Sequence, residues 1–307
     1  MDETRLTDVV VATDGSDPAA AAVDAAIGLA AGTGATLHVC TVVNPFPTGQ
    51  SLVDLRKHRE EADERVEAVA ARAEDAGVDA VTTVREGMPA DELLAYVDEV
   101  DADMVIVGTH GRGGARRVLL GSVAETVVRT AEVPVLVVHG DSVDSEWGSE
   151  SRLLLATDGS DAVAPAERIG VDLAATLGAR LTAVSAVDQA RALTNAGGGV
   201  LTNETIESVR RALTTRATDA VDRALGGAEE VGVDADGEVI DGEPSRAVCG
   251  YARDADADVV IVGTHGRTGV RRVVLGSVAE RILRAADRPV LVVPASVETF
   301  DGAGSVE

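Results

Sequence analysis

The strongest constraint on this chain is an internal repeat, because a long duplication requires one fold to occur twice. Residues Asp101–Val138 align with Asp256–Val293 at a shift of 155, and 28 of the 38 positions are identical. The hexapeptide ATDGSD also occurs twice, at Ala12–Asp17 and Ala156–Asp161, at a shift of 144. Since 307 residues suit two domains of ordinary size, we predict two similar domains, with 11 extra residues between the two motifs of the second.

Within the repeat, short β-branched runs alternate with alanine-rich segments, as is typical of βαβ units around a parallel sheet. The predicted strands of the first half are Val9–Thr13, Thr36–Val43, Ala80–Arg85, Met104–Gly108 and Val135–Val138. The predicted helices between them are Pro18–Ala31, Leu52–Ala76, Ala90–Val100 and Ser122–Thr130. The predicted fold class is α/β, with two tandem Rossmann-like domains, each a five-stranded parallel sheet sandwiched by helices.

The domain boundaries follow from the repeat and from local composition. We predict domain 1 at residues 1–140, a linker at 141–150, domain 2 at 151–295 and a disordered tail at 296–307. The linker is acidic and aperiodic and contains Trp147, the sole tryptophan, which we expect to pack against one domain. We assign the extra residues of the second half to a flexible loop around Asp188–Thr202, because three consecutive glycines lie there.

The charge of the chain limits its partners. The sequence has 27 basic and 52 acidic side chains, a net charge of −25, and Lys57 is its only lysine. Such a field repels phosphate backbones and anionic lipid, so neither nucleic acid nor a membrane surface is an expected partner. An acidic, nearly lysine-free surface is typical of a salt-rich cytosol, where screening is strong, and we interpret the source as a halophile. A merely acidic soluble protein is the alternative.

Cysteine usage and the absence of long apolar runs bear on location. Cys40 and Cys249, the only cysteines, lie far apart in apolar stretches, so neither a disulfide framework nor a cysteine metal site is predicted. No apolar run reaches the roughly 18 residues that a membrane span needs, and residues 1–7 form no signal-peptide core. We therefore expect a cytoplasmic protein.

A glycine and serine pattern, G-x2-G-x9-G-S, follows the fourth predicted strand of each half. It comprises Gly108, Gly111, Gly121 and Ser122 in the first half, and Gly263, Gly266, Gly276 and Ser277 in the second. A glycine at a strand end lets a sugar or phosphate approach the backbone, and a helix that opens with Gly-Ser presents free N–H groups to an anion. An ordinary turn with the serine as a helix cap is the alternative, but a turn does not require the same spacing twice. We predict an anion-binding loop in each half.

An aspartate follows the first strand of each half, at Asp14 and at Asp158. In open α/β sheets, ligands bind at the carboxyl ends of the strands where the strand order reverses, and the first and fourth strands flank that point. A carboxylate there can accept hydrogen bonds from ribose hydroxyls or from the adenine amine. Capping of the next helix is the alternative role, and the sequence does not decide between the two.

Cationic and titratable residues within the glycine loops have two interpretations each. The arginines of the loops are Arg112, Arg116, Arg117, Arg267, Arg271 and Arg272. Phosphate neutralisation is the favoured role, and salt bridges to the acidic surface are the alternative. His110 and His265 are expected to hydrogen-bond locally, because no partner acid recurs at a fixed spacing, so no catalytic residue is assigned. The sequence holds no P-loop and no zinc motif, and a Mg²⁺ or Mn²⁺ ion would be held chiefly by nucleotide phosphates.

These motifs resemble those of the universal stress protein family, in its UspA-like, ATP-binding subtype and tandem form, over residues 5–296. The resemblance implies HUP-like domains, related to adenine nucleotide alpha hydrolases, that bind ATP. It implies that the two glycine patterns hold ribose and phosphates, that Asp14 and Asp158 hold the nucleoside, and that Val43 and Val187 touch adenine. With the acidic composition, it points to a haloarchaeal source.

The resemblance also implies a function and an assembly. The expected function is that of a nucleotide-responsive stress regulator with at most slow ATP hydrolysis. A nucleotide hydrolase and a non-binding structural dimerisation module are the alternatives. The apolar last strands, Val135–Val138 and Val290–Val293, are expected to pair into an internal pseudo-dimer, with a further homo-oligomer left open.

Overall fold

The computed structural model describes residues 6–45, 55–109, 120–139, 146–195, 202–264, 275–297 and 300. The strands of the first half are β1 (Asp8–Ala12), β2 (Thr36–Val43), β3 (Ala80–Glu86), β4 (Met104–Gly108) and β5 (Val135–Val138). Its helices are α1 (Asp17–Thr33), α2 (Leu55–Asp75), α3 (Pro89–Glu99) and α4 (Ser122–Thr130). The predicted elements are confirmed to within two residues, except that the predicted start of the second helix at Leu52 lies outside the described residues.

The second half repeats this order with one addition. Its strands are β6 (Arg152–Ala156), β7 (Arg180–Val187), β8 (Ala235–Asp241), β9 (Val259–Gly263) and β10 (Val290–Val293). Its helices are α5 (Ala164–Leu177), α6 (Gln189–Asn195), α7 (Asn203–Glu230), α8 (Pro244–Asp254) and α9 (Ser277–Ala285). The first helix of each half ends at a glycine in the left-handed region, Gly34 or Gly178, where a side chain would strain the backbone.

Helix α6 lies in the segment that was predicted to be a flexible loop, so that prediction is wrong for Gln189–Asn195. The carboxylate Oδ1 of Asp188 accepts a hydrogen bond from the backbone N–H of Arg191 at 2.9 Å. Asp188 therefore caps the first turn of the helix, a role for which aspartate is well suited. The three glycines on which the loop prediction rested lie outside the described residues.

In the described part of the chain, all ten strands form one sheet in the order β3-β2-β1-β4-β5-β10-β9-β6-β7-β8. Neighbouring strands are parallel within each half, whereas β5 and β10 are antiparallel, with Leu136 opposite Leu291. The predicted pairing of the last strands is therefore confirmed. The two five-stranded parallel sheets merge into a single sheet across this junction.

Helices cover both faces of the sheet, which explains the nearly continuous apolar sequences of its central strands. On one face, α1, α2, α5 and α7 contribute buried residues to one core cluster. On the other face, α3, α4, α8 and α9 contribute to a second cluster. This layering leaves the two ends of the parallel strands, with the loops that adjoin them, as the places where polar groups gather.

Trp147 is buried at the junction of the two halves, which confirms that it packs against a domain. It is 7% exposed and belongs to the core cluster on the α1 face. A Cβ at Gly32 of α1 would clash with the Trp147 carbonyl and would lie 3.0 Å from Leu177 of α5. The glycine therefore lets the linker segment at Trp147, and a helix of the second half, approach α1 closely.

Phe300 departs from the disordered tail expected for residues 296–307. Its ring is 3% exposed and belongs to the same core cluster as Trp147, and Val297 packs against that cluster. Removing an aromatic ring from water favours such docking. Among the described residues, no helix combines the length and apolar character that crossing a bilayer requires.

Candidate functional site

The carboxyl ends of β2, β1 and β4 lie side by side, because these strands are consecutive neighbours in the sheet. Val11 of β1 pairs with Ile106 of β4, so continuing the register by two residues brings Thr13 alongside Gly108. Asp14 follows Thr13 directly, and Val43 ends β2 at the same edge. The structure thus brings together the predicted residues of the strand ends.

A backbone hydrogen bond closes the glycine loop at its base. The N–H of Gly121 donates to the carbonyl of Thr109 at 2.5 Å, and Thr109 N–H donates to Val138 O at 3.0 Å. In the second half, Gly276 donates to Thr264 at 2.6 Å, and Thr264 donates to Val293 at 2.9 Å. In each half, the residues that flank the loop are therefore hydrogen-bonded to each other, so the next helix starts beside the end of the strand.

Helices α4 and α9 begin at this closure with the same geometry. Gly121 and Gly276 are the N-caps, with ψ of 151° and 141°, and a glycine has no side chain with which to cap the first turn. Ser122 and Ser277 are the first helical residues, and both are exposed. A glycine cap leaves the N–H groups of the first turn, at the positive end of the helix dipole, for an external acceptor.

Gly108 has a packing role beside the one predicted from the sequence. A Cβ at Gly108 would clash with the carbonyl oxygen of Pro18 and would lie 2.6 Å from the carbonyl carbon, so the first turn of α1 fills that space. The corresponding Cβ at Gly263 would lie 3.1 Å from Val163 Cγ2. Close approach of the α1 backbone therefore favours glycine at Gly108, while the constraint at Gly263 is looser.

Asp14 and Asp158 order the turn that follows the first strand of each half. Oδ1 of Asp14 accepts from the backbone N–H of Ser16 at 3.0 Å and from its hydroxyl at 2.6 Å. Asp158 makes the same two bonds to Ser160, at 3.0 and 2.6 Å. The N-cap of α1 is Ser16, so Asp14 is not itself the helix cap but holds the residue that is.

Val43 and Val187 lie at the ends of their strands and are 7% and 5% exposed. The carbonyl of Val43 accepts from Gly87 N–H at 3.1 Å, and that of Val187 accepts from Gly242 N–H at 3.1 Å. Both side chains therefore border the carboxyl edge without projecting from it.

Part of the predicted site lies outside the described residues. This holds for the loop glycines, histidines and arginines: Gly111, His110, Arg112, Arg116, Arg117, Gly266, His265, Arg267, Arg271 and Arg272. Among the described residues, no group of three or more histidine, cysteine, aspartate or glutamate side chains is arranged to hold a metal ion.

Sequence reasoning did not assign Thr109 and Thr264, whose carbonyls close the loops, although both stand inside the glycine pattern. It also missed Glu167 on α5, which is 7% exposed. Glu167 Oε1 accepts from the Thr157 hydroxyl at 2.6 Å, and Arg223 of α7 donates to both of its carboxylate oxygens at 3.2 and 3.3 Å. The sequence offered one signal: the repeat aligns Glu167 with Val23, so a charged residue stands where the first half has an apolar one.

Both cysteines are unsuited to chemistry at this edge. Cys40 and Cys249 are free and buried. Burial raises the pKa of the Cys40 thiol to about 12 and that of Cys249 to about 11. Because the thiolate is the reactive form, both behave as small apolar side chains near neutral pH.

The fold and the doubled loop closure define a class of tandem α/β proteins with Rossmann-like halves. A profile of the universal stress protein family matches residues 6–139 and 151–294. The chain belongs to the universal stress protein family, in a tandem two-domain form.

Known relatives match one or both halves of the sequence, and one solved structure shares the fold of the whole chain. A universal stress protein of Mycolicibacterium smegmatis is 32% identical over 264 residues, which cover 83% of this chain and 84% of that protein. One from Methanocaldococcus jannaschii is 37% identical over 138 residues, 42% of this chain and 80% of the relative. The crystal structure of a universal stress protein from Archaeoglobus fulgidus superposes with a TM-score of 0.70 at 22% identity, covering 96% of this chain and all of that one. The last comparison establishes a shared fold.

Proposed function

We propose that this universal stress protein binds ATP at two sites, one in each half, and that nucleotide occupancy biases its conformation or partner surface. The observation that carries this proposal is the doubled closure at the carboxyl edge. In each half a buried threonine carbonyl at the strand end binds the glycine that starts the next helix. A strand end joined in this way to an uncapped helix start suits an anionic ligand.

The residues at this edge fit a nucleotide. In the first site, the N–H groups after Gly121 and the Ser122 hydroxyl would bind phosphate oxygens, with Gly111 and the loop arginines contributing from the loop. Asp14 would accept from the nucleoside and Val43 would border the base. Gly108 would act indirectly, by allowing α1 to pack against the strand end. Gly263, Gly266, Gly276, Ser277, Asp158 and Val187 would form the second site in the same way.

A Mg²⁺ or Mn²⁺ ion would be held through the phosphates and water, since the described residues offer no metal cluster of their own. The ion would neutralise phosphate charge, and the chain's own residues would orient the nucleotide.

Calorimetric titration with ATP in molar KCl tests the proposal. We expect a stoichiometry near two per chain, because both halves keep the loop closure. Gly121→Val and Gly276→Val each add a β-branched side chain at a helix start and should each leave one site. A stoichiometry of zero in the native chain would remove the proposal.

Slow turnover separates a regulator from an enzyme. Fast phosphoryl transfer requires an in-line nucleophile, an orienting group and charge neutralisation. The arrangement at the carboxyl edge supports only the last of these. We expect steady-state ATP hydrolysis with Mg²⁺ or Mn²⁺ in high salt to be slow or undetectable. Several turnovers per second, lost on changing His110 and His265, would favour a true ATPase.

We further propose that the protein works in the cytoplasm of a halophile, a haloarchaeon. The net charge of −25 and the single lysine support high internal salt, and the two free cysteines suit a reducing compartment. Dialysis to low salt should unfold the chain, because its acidic groups then repel one another over longer distances. Far-UV circular dichroism measures the loss, and a retained spectrum and melting temperature would contradict the halophilic assignment.

A further inference from the structure

The turn after the first strand is held differently in the two halves. In the second half, Glu167 of α5 lies beneath this turn with its side chain 9% exposed, and Arg223 reaches it from α7 with 45% of its side chain exposed. The Glu167 carboxylate accepts from the Thr157 hydroxyl at 2.6 Å and pairs with the Arg223 guanidinium at 3.2 and 3.3 Å. A buried carboxylate thus links α5, α7 and the end of β6.

This network reaches the nucleoside carboxylate of the proposed site through Thr157. The Thr157 hydroxyl donates to Glu167 and accepts from the Gly159 N–H at 3.1 Å, so both of its roles are used. Asp158 lies between Thr157 and Gly159 in the chain, and its carboxylate accepts hydrogen bonds from Ser160. Hydrogen bonds in such a chain polarise one another and strengthen each link. The backbone on both sides of Asp158 is therefore fixed by the network.

The first half has a different arrangement at the same place. The repeat puts Val23, 1% exposed, at the position of Glu167. Thr13 accepts from Gly15 N–H at 3.3 Å, the counterpart of the Thr157 bond. Arg65 of α2 lies beside this turn, since a Cβ at Gly15 would lie 2.6 Å from its Nε. At the corresponding place in the second half stands Ala220, and the arginine comes from the next helical turn.

Stability alone does not account for the buried pair. Desolvation of a buried ion pair commonly cancels its attraction, and a well-packed apolar side chain serves about as well. Val23 is such a side chain in the same position of this very chain. The remaining advantage of the buried pair is that it fixes the turn. A turn that is fixed before a ligand arrives loses less conformational freedom on binding.

We propose that Glu167 is a positioning residue that preorganises Asp158 through Thr157 and makes the second nucleotide site tighter than the first. This inference rests on the proposed ATP sites and adds that the two halves are unequal. Glu167 touches no nucleotide in this scheme. Its effect passes through the Thr157 hydroxyl and the Gly159 amide.

The test compares two full-length chains that each keep one site. Gly121→Val keeps the second site and Gly276→Val keeps the first, and ATP is titrated into each by calorimetry in molar KCl. We expect the second site to bind about tenfold more tightly, the factor that corresponds to 1.4 kcal/mol. Equal affinities, or a tighter first site, would overturn the inference. Absence of binding in both chains, and in the native chain, would instead remove the proposed function.

A double-mutant cycle in the Gly121→Val chain then tests the route of the effect. Glu167→Val introduces the residue that the first half has at this position, and it should abolish the tenfold difference in ATP affinity. In the Gly276→Val chain, the same substitution should leave the affinity of the first site unchanged. Thr157→Val should cause the same loss, and the double variant should lose no more than either single one. Additive losses would contradict action through Thr157.

Matched controls separate positioning from folding. Thr13→Val in the Gly276→Val chain should weaken the first site less than Thr157→Val weakens the second. Circular dichroism and thermal melting without ATP report whether each variant is folded. If Glu167→Val does not fold, the nearly isosteric Thr157→Val carries the test alone, and unchanged second-site affinity in it would overturn the inference.

Discussion

The two halves of the chain agree at the carboxyl edge of the sheet and differ in the polar groups that they bury. Among the described residues, each half contains a buried network whose central side chain is replaced in the other half. In the first, His38 Nδ1 lies 3.0 Å from the Tyr96 hydroxyl and its Nε2 lies 2.9 Å from Asp8 Oδ1, near the start of β1. In the second, Glu167 lies under the turn after β6.

The location of each network shows where the duplicated domains have diverged. The positions of His38 and Asp8 are occupied in the second half by Thr182 and Arg152. The His38 network lies toward the amino end of the sheet, whereas the Glu167 network adjoins the proposed nucleotide turn. The first can therefore act on stability alone, while the second is placed to act on binding.

The symmetric junction should give the largest effect of mutation, equal in both halves. Leu136 and Leu291 face each other across β5 and β10 and are 1% and 0% exposed. Leu136→Ala and Leu291→Ala should each lower the free energy of unfolding by about 3 kcal/mol, through lost burial and the cavity left behind. Denaturant unfolding in molar salt measures both. A marked difference between the two losses of unfolding free energy would show that the two leucines do not contribute equally to the junction.

Alanine at the strand-end glycines should distinguish the two halves. Gly108→Ala forces a Cβ against the backbone of Pro18 and should cost about 2 to 3 kcal/mol, because backbone cannot move aside easily. Gly263→Ala meets the Val163 side chain first, at 3.1 Å, and should cost about 1 kcal/mol or less. The midpoints of chemical unfolding compare the pair. Similar costs would mean that α1 can shift as readily as α5.

Removing the buried histidine should destabilise only the first half. His38→Val leaves the Tyr96 hydroxyl and Asp8 without their shared partner, and we expect a loss of about 1 to 2 kcal/mol. Thr182→Val is the matched change, and it should stay within about 0.5 kcal/mol. Thermal melting in high salt reports both. Neither variant should alter ATP affinity, and a change in affinity with His38→Val would contradict the separation of the two networks.

The ion pair that crosses the junction should have the smallest effect. Arg129 of α4 lies 4.0 Å from Glu280 of α9 and also pairs with Glu125 of its own helix. Since partly exposed pairs are screened, Arg129→Leu should change stability by less than about 1 kcal/mol. Arg284→Leu, which removes the corresponding partner of Glu280, is the control. A loss of unfolding free energy several times larger than this would show that ion pairs contribute substantially to the stability of the junction.

Sequence reasoning predicted most of the fold, because the elements carry strong local signals. The apolar runs Val135–Val138 and Val290–Val293 predict strands at sheet edges, and exposed apolar edges invite pairing, as the structure has it. Helix α6 was missed because neighbouring glycines outweighed the capping aspartate before it.

The placement of the candidate site residues was predictable only where they directly follow strand ends. The glycine pattern and Asp14 follow strand ends directly, so topology alone brings them to one edge. The close approach of Pro18 to Gly108, which leaves no room for a Cβ, depends on how α1 packs, and no sequence spacing encodes that packing. Glu167 and Arg223 are 56 residues apart, and only the fold brings them together.

The antiparallel pairing of β5 with β10 also has a consequence for how the protein responds to dilution. Two separate domains that met through this edge would dissociate as their concentration fell. Here both strands belong to one polypeptide, so the effective concentration of one half around the other is set by the connecting chain. For short flexible connections this concentration is typically in the millimolar range. Pairing of the halves is therefore independent of how much protein the cell makes. A cell can vary the amount of this protein widely while each copy keeps its two halves paired.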